Sequence, residues 1–199
     1  INAFLMKERD MLINKFCLFA FLSLTLVSTA TADVITVGPN GDYQTIQAAL
    51  NASSSGDEII VAPGLYTPSG SPQVAYIYNT DVWLHSSDGP ETTIIDGLST
   101  NRCIQISYGN THIEGFTIQN GAPFNGNGGG IYNLSASPTI SNCVYINNKS
   151  GSDGYLGSYT YGGGAIYNIY GSNPSIVDCV FRANQASGNG GAIYNVDSS

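Results

Sequence analysis

From residue 34 onward, short runs of β-branched and aromatic residues alternate with polar ones and are broken every few residues by Gly, Asn or Ser. That is a period of two, the pattern of half-buried strands. Strands are expected at Val34 to Val37, Glu58 to Val61, Val74 to Tyr78, Val82 to His85 and Thr92 to Ile95. One segment departs from it. Between Tyr43 and Ala52, Ile46, Ala49 and Leu50 fall at i, i+3 and i+4, which predicts a short amphipathic helix.

The apolar positions also recur at a longer interval. Gly-Gly-Gly-Ile-Tyr-Asn ends at Asn133, Gly-Gly-Gly-Ala-Ile-Tyr-Asn at Asn168 and Gly-Gly-Ala-Ile-Tyr-Asn at Asn195. A second motif, Pro-x-Ile-x-x-Cys-x-aromatic-x-x-Asn, runs from Pro138 to Asn148 and from Pro174 to Asn184. A degenerate copy places Ile113 and Phe116 each 27 residues before Ile140 and Cys143. The unit is therefore about 27 residues, with about nine more inserted between Asn148 and Gly162. A leucine-rich horseshoe shares part of this spacing, but the rest of each repeat is a Gly-rich turn and a second strand, without leucines for a convex layer. The expected fold is all-β, a right-handed parallel β-helix with three short strands per rung and the helix as an N-terminal cap over the exposed end of the coil. Residues equivalent in the repeat then stack, and alternation sorts whole columns. Ile104, Ile131, Ile166 and Ile193 point in, so Tyr132, Tyr167 and Tyr194 form an outward column that offers ring surface to a sugar. Asn133, Asn168 and Asn195 form one amide ladder, and Asn148 and Asn184 a second. Phe116, Cys143 and Cys179 stack inward. The inserted loop carries Tyr155, Tyr159 and Tyr161 and is a natural place for recognition.

The first residues read differently. Lys15, the apolar run from Phe16 to Val27 and Ala30-Thr31-Ala32 have the order of a secretory signal peptide cleaved after Ala32, with translation starting at Met6 or Met11. Residues 1–32 are then leader and upstream sequence, and 33–199 the cap and first rungs of a coil expected to continue in a longer protein. The run is too short for a membrane span. Without the leader, the bases are Arg102, Lys149 and Arg182, against twelve acids, a balance that offers nothing to nucleic acid. Three cysteines remain, Cys103, Cys143 and Cys179, which sets no disulfide framework.

Tyr-x-Thr-Ile-Gln-Ala-Ala-Leu from Tyr43, Gly-Asp-Glu-Ile-Ile-Val-Ala-Pro-Gly-Leu-Tyr from Gly56, Thr93-Ile-Ile-Asp-Gly and Ile113-Glu-Gly-Phe-Thr-Ile-Gln-Asn-Gly together resemble the opening of the pectin-lyase-like β-helix superfamily. Gly190 to Ile193 and Phe181-Arg-Ala-Asn184 are similar to the repeats of polymorphic outer membrane proteins. These resemblances imply an exported, secreted or outer-membrane-associated surface protein. They leave three functions open: noncatalytic recognition or adhesion through a glycan or cell-surface ligand, a polysaccharide lyase or hydrolase, and a structural passenger or stalk. The enzyme reading has few residues to draw on. His112 and Glu114 share an outward strand, and Asp88, Glu91 and Asp96 form a loose acidic group that would hold Ca²⁺ only if the protein were a lyase. No cofactor or metal is otherwise expected, and the catalytic residues are not defined.

Overall fold

The computed structural model describes residues 31–124, 126–151 and 161–197. The leader expected through Ala32 lies outside them except for its last two residues, and Tyr155 and Tyr159 lie outside them entirely. Among the described residues no helix is long and apolar enough to cross a membrane.

The chain winds as a parallel β-solenoid of about six turns. Three sheets run its length, and each is built from strands contributed once per turn. The first, sheet A, contains β1 (Val34–Val37), β2 (Glu58–Val61), β5 (Trp83–Ser86), β8 (His112–Glu114), β11 (Thr139–Ser141) and β15 (Ser175–Val177). Sheet B contains β3 (Gly64–Tyr66), β6 (Thr93–Asp96), β9 (Thr117–Gln119), β12 (Val144–Ile146) and β16 (Val180–Arg182). Sheet C contains β4 (Gln73–Tyr78), β7 (Arg102–Ser107), β10 (Ile131–Leu134), β14 (Ile166–Ile169) and β18 (Ile193–Val196). The short strands β13 (Lys149–Ser150) and β17 (Gln185–Ala186) pair at a corner of the last two turns.

Every strand pair is in parallel register, so one apolar position repeated along the sequence becomes one continuous inner column. In sheet A the column is Ile35, Ile59, Leu84, Ile113, Ile140 and Ile176. In sheet C it is Ala75, Ile104, Ile131, Ile166 and Ile193. Sheet B contributes Tyr66, Ile95, Ile118, Tyr145 and Phe181, and the last two rings stack at 4.8 Å with planes 6° apart. The repeat length is 27 residues between Ile113 and Ile140 but 25 between Ile59 and Leu84 and 29 between Leu84 and Ile113. The early turns keep the register and vary the loops.

The core accepts a polar column only where it is hydrogen-bonded. The second inner column of sheet C starts as Ile77 and Ile106 and continues as Asn133, Asn168 and Asn195. Asn133 Nδ2 donates to Asn168 Oδ1 at 2.7 Å, and Asn168 Nδ2 to Asn195 Oδ1 at 2.7 Å. Asn133 Oδ1 is left without a donor because the position above it is Ile106. The second ladder is denser. Asn148, fully buried, accepts from Gly121 N at 2.9 Å and donates through Nδ2 to Ile118 O at 2.9 Å and Asn184 Oδ1 at 3.0 Å.

The Tyr145 hydroxyl, by contrast, is buried with no partner, and burial pushes its pKa well up. A phenol in that position forfeits its hydrogen bonds with water and gains none. Tyr145→Phe is accordingly expected to raise stability by about 1 kcal/mol, seen as a melting temperature a few degrees higher.

Turns at the corners also repeat. After each sheet C strand one residue adopts a left-handed backbone: Asn79 (φ 49°), Tyr108 (57°), Ser135 (48°), Tyr170 (56°) and Asp197 (50°). Asn, Ser and Asp suit such a corner, whereas a bulky side chain there costs roughly 1–2 kcal/mol.

The helix α1 (Ile46–Ala52) is shorter than the expected Tyr43–Ala52, because Tyr43 bridges Val37 and Thr45 serves as the N-cap, its Oγ1 accepting from Ala48 N at 3.2 Å. It buries Ile46, Ala49 and Leu50 on the first turns. Gln47 closes the bare edge of sheet C as a strand would: its Oε1 accepts from Tyr76 N at 2.6 Å and its Nε2 donates to Tyr76 O at 3.2 Å.

Candidate functional site

Seven of the chain's 13 tyrosines lie on sheet C or its corner: Tyr76, Tyr78, Tyr108, Tyr132, Tyr167, Tyr170 and Tyr194. The expected outward column is present, with Tyr132, Tyr167 and Tyr194 in register. Its rings, however, face one another. Tyr132 and Tyr167 stack at 5.4 Å and 14°, Tyr167 and Tyr194 lie 5.8 Å apart and tilted by 54°, and Tyr167 is only 6% exposed. The outer face of Tyr132 is taken by the Arg102 guanidinium, 4.8 Å from the ring centroid. Burial lowers the Arg102 pKa to about 10, so the cation persists at neutral pH. It also donates to Gly128 O at 3.0 Å, Asn127 O at 2.8 Å and Gln105 Oε1 at 3.0 Å. The column is thus a packed strut with little free ring face. Tyr161 is half-exposed next to Gly151 and Ser187 and is tied by its backbone, its N–H donating to Ser187 Oγ at 3.2 Å.

The accessible aromatic surface is at the neighbouring corner. Tyr78 is 58% exposed, Tyr108 48% and Tyr170 63%. Tyr78 and Tyr108 meet edge to face at 5.8 Å, and Tyr108 and Tyr170 occupy equivalent corners two turns apart, about 10 Å along the axis at one strand spacing per turn. Periodicity alone did not mark Tyr108 and Tyr170, because they sit outside the strands. Their signal was a large aromatic where the repeat elsewhere places Asn, Ser or Asp.

A second cluster occupies the outer face of sheet A. The pair His112 and Glu114 was legible in the sequence; Glu58, Trp83 and His85, which share that face, were not. Glu58, Trp83 and His112 form one column, and His85 and Glu114 stand side by side in the next. His85 Nε2 lies 2.8 Å from Glu58 Oε1, Trp83 Nε1 donates to Glu114 Oε2 at 3.3 Å, and His112 Nε2 lies 3.1 Å from Ser141 Oγ. The Trp83 ring stacks on His85 at 4.3 Å and on His112 at 5.9 Å. Both histidines and the single tryptophan of the chain are therefore gathered on one face of sheet A.

The loose acidic group does not form a cation cage. Asp96 is occupied by Leu98 N at 2.7 Å, Gln119 Nε2 at 2.7 Å and Asn120 Nδ2 at 2.9 Å, while Asp88 accepts from Ser87 Oγ at 2.6 Å in a turn. Among the described residues no group of three His, Cys, Asp or Glu side chains is placed to hold a metal ion.

The stacked cysteines are unequal. Cys143 is buried and donates to Ser141 O at 3.2 Å, and the neighbouring Cys179 thiol together with burial pushes its pKa up. The neighbouring Cys143 thiol lowers the pKa of Cys179 to about 7 despite its partial burial, and Cys179 Sγ itself lies 3.3 Å from Val177 O. Burial pushes Cys103 up. Cys179 is expected to be the one thiol of these three that iodoacetamide alkylates rapidly in the folded protein, with a rate that rises through a pH near 7 as the thiolate forms; peptide mass mapping reads the site.

With this geometry in hand, the comparisons with known proteins add one match. Residues 178–196 match the model of the Chlamydia polymorphic membrane protein (Chlamydia_PMP) repeat. They span β16, β17 and β18 of the last turn, and register carries the same Ile, aromatic and Asn positions into the turn before it. No curated protein and no solved structure matches the chain.

Proposed function

We propose that this β-solenoid is displayed at a bacterial outer surface and recognises a glycan or other cell-surface ligand through the tyrosine-bearing corner of sheet C, without transforming it. Support for surface display comes from the repeat match in the last turn and from the leader-like first residues. The recognition reading is carried by one observation: Tyr108 and Tyr170 hold a costly left-handed backbone while leaving about half or more of their surface in solvent. Tyr108 meets Tyr78 edge to face and Tyr170 leaves 63% of its surface in solvent, so both keep free ring area at a strained backbone, and strain of that kind concentrates at functional positions. Aromatic side chains combine apolar area with a hydroxyl, as a sugar face requires.

The enzyme alternative has its own support in the carboxylate–imidazole contacts Glu58–His85 and Glu114–His112, 2.8 and 3.6 Å apart. These pairs stand on an open strand face, whereas an acid–base site gains from excluding water. The full chain screened on an array of neutral and acidic oligosaccharides, with parallel assays for unsaturated products and new reducing ends, separates the readings. Retention on a glycan class without product is the expected result. Product formation would make the protein an enzyme, and absence of binding to both glycans and cells would leave it a stalk.

A further inference from the structure

We infer that the capped end of the coil contains a separate binding site for a neutral saccharide, in the cavity between α1 and the loop that joins β3 to β4. The cavity encloses about 500 Å³, within the range of small-molecule sites. None of the residues that line it is charged. Gln73, the first residue of β4, forms part of the wall and is 9% exposed, yet its amide makes no hydrogen bond among the described residues. A primary amide presents two donors and two acceptor sites, and the amide atoms of Gln73 are not sealed from solvent. Gln73 lines the cavity, so these groups are available to a ligand there.

Gln44, Thr67 and Ser71 line the same space with further groups that donate and accept. Leu65, 60% exposed at the edge strand of sheet B, adds an apolar wall. Such a set fits vicinal hydroxyls and the C–H face of a pyranose. It offers no cation to a carboxylate or phosphate and no anion to an amine. The helical wall is preformed, because the Thr45 cap fixes the start of α1 and the two bonds between Gln47 and Tyr76 hold it against β4. Preorganisation of this kind favours binding of a small, weakly held ligand.

This inference shares the glycan reading above but uses a different surface, and its test keeps the two apart. The full chain and three variants are applied to the neutral and acidic oligosaccharide array, with melting temperatures recorded for each. Gln73→Glu buries a charge against the ligand, and Ser71→Trp fills the mouth of the cavity. Tyr108→Asn with Tyr170→Asn removes the exposed corner aromatics. Loss of neutral-glycan affinity by more than about tenfold in both cavity variants, with folding intact and the affinity kept in the tyrosine variant, is the expected result. Neutral glycans bound by both cavity variants as tightly as by the unmodified chain would overturn this site and leave the glycan reading standing. No glycan bound, with an extended peptide captured instead and displaced by Ser71→Trp, would overturn both.

Discussion

Replacing Gly121 by alanine is expected to lower the melting temperature by roughly 10 °C, the largest effect of a methyl group added at any of the described glycines. A Cβ at Gly121 would run into the backbone of Gly129, carbonyl carbon and oxygen alike, and would press on Asn148 Oδ1 at 3.0 Å. Neither neighbour can yield. Gly129 O accepts from Cys103 N at 3.0 Å, and Gly121 itself donates to Asn148 and accepts from Lys149 N at 2.7 Å. Three segments of chain cross there at backbone contact, so the clash is relieved only by separating turns, at a cost above about 3 kcal/mol. The same crossing explains why the repeat reads Gly-Gly before Ala-Ile-Tyr-Asn or Ile-Tyr-Asn. A Cβ on Gly129 would meet the Lys149 backbone, and one on Gly164 the Gln185 and Gly191 backbones. Gly171, which has open space around it and a φ of 74°, is the comparison site: alanine there meets only the left-handed penalty and is expected to cost about 1 kcal/mol.

Asn148→Ala is the second large loss. It removes the acceptor of the buried Gly121 N–H, the donor to Ile118 O in the interior of the coil and the donor to the half-buried Asn184 Oδ1. Leaving a buried group unpaired costs about 1–3 kcal/mol; Gly121 N–H and Ile118 O lose this partner, whereas Asn184 Oδ1 keeps the backbone N–H of residue 148 at 3.0 Å, so a loss of about 2–4 kcal/mol is expected. Asn195→Ala, at the other ladder's outermost amide, removes one bond to Asn168 from the least covered turn and is expected to cost under about 1 kcal/mol. Chemical denaturation of the two variants side by side measures the difference. Equal losses would mean that the Asn148 network does not hold the turns together.

Much of the fold was legible because a solenoid writes the same environment again and again. Three copies of Ile-Tyr-Asn fix the inner and outer columns of sheet C, and the match of Ile131, Ile166 and Ile193 in the structure follows from that spacing. The early turns were harder. Steps of 25 and 29 residues between Ile59, Leu84 and Ile113 hide their alignment, and with it the meeting of Glu58, Trp83 and His85 beside His112 and Glu114. The strand Gly64–Tyr66 was also missed, since its three residues carry no alternation to read. The tyrosine column shows a different limit: alternation says which side chains leave the core, but not that stacking in register turns their faces toward each other. Nor does a sequence state φ, so the strain at Tyr108 and Tyr170 emerged only with the backbone.

That strain supplies the most direct test of the proposed role. Asn79 occupies the same corner column at a φ of 49°, so asparagine is a residue this corner already accepts. The measurement is made with the cap cavity filled by Ser71→Trp: the affinity of the Tyr108→Asn, Tyr170→Asn double variant in that background for the glycan that the Ser71→Trp chain still retains, paired with its melting temperature. The account predicts that affinity falls about tenfold or more while the melting temperature stays level or rises by a few degrees, because binding surface is lost and left-handed strain is relieved. Unchanged affinity in a variant that is folded and more stable would contradict it.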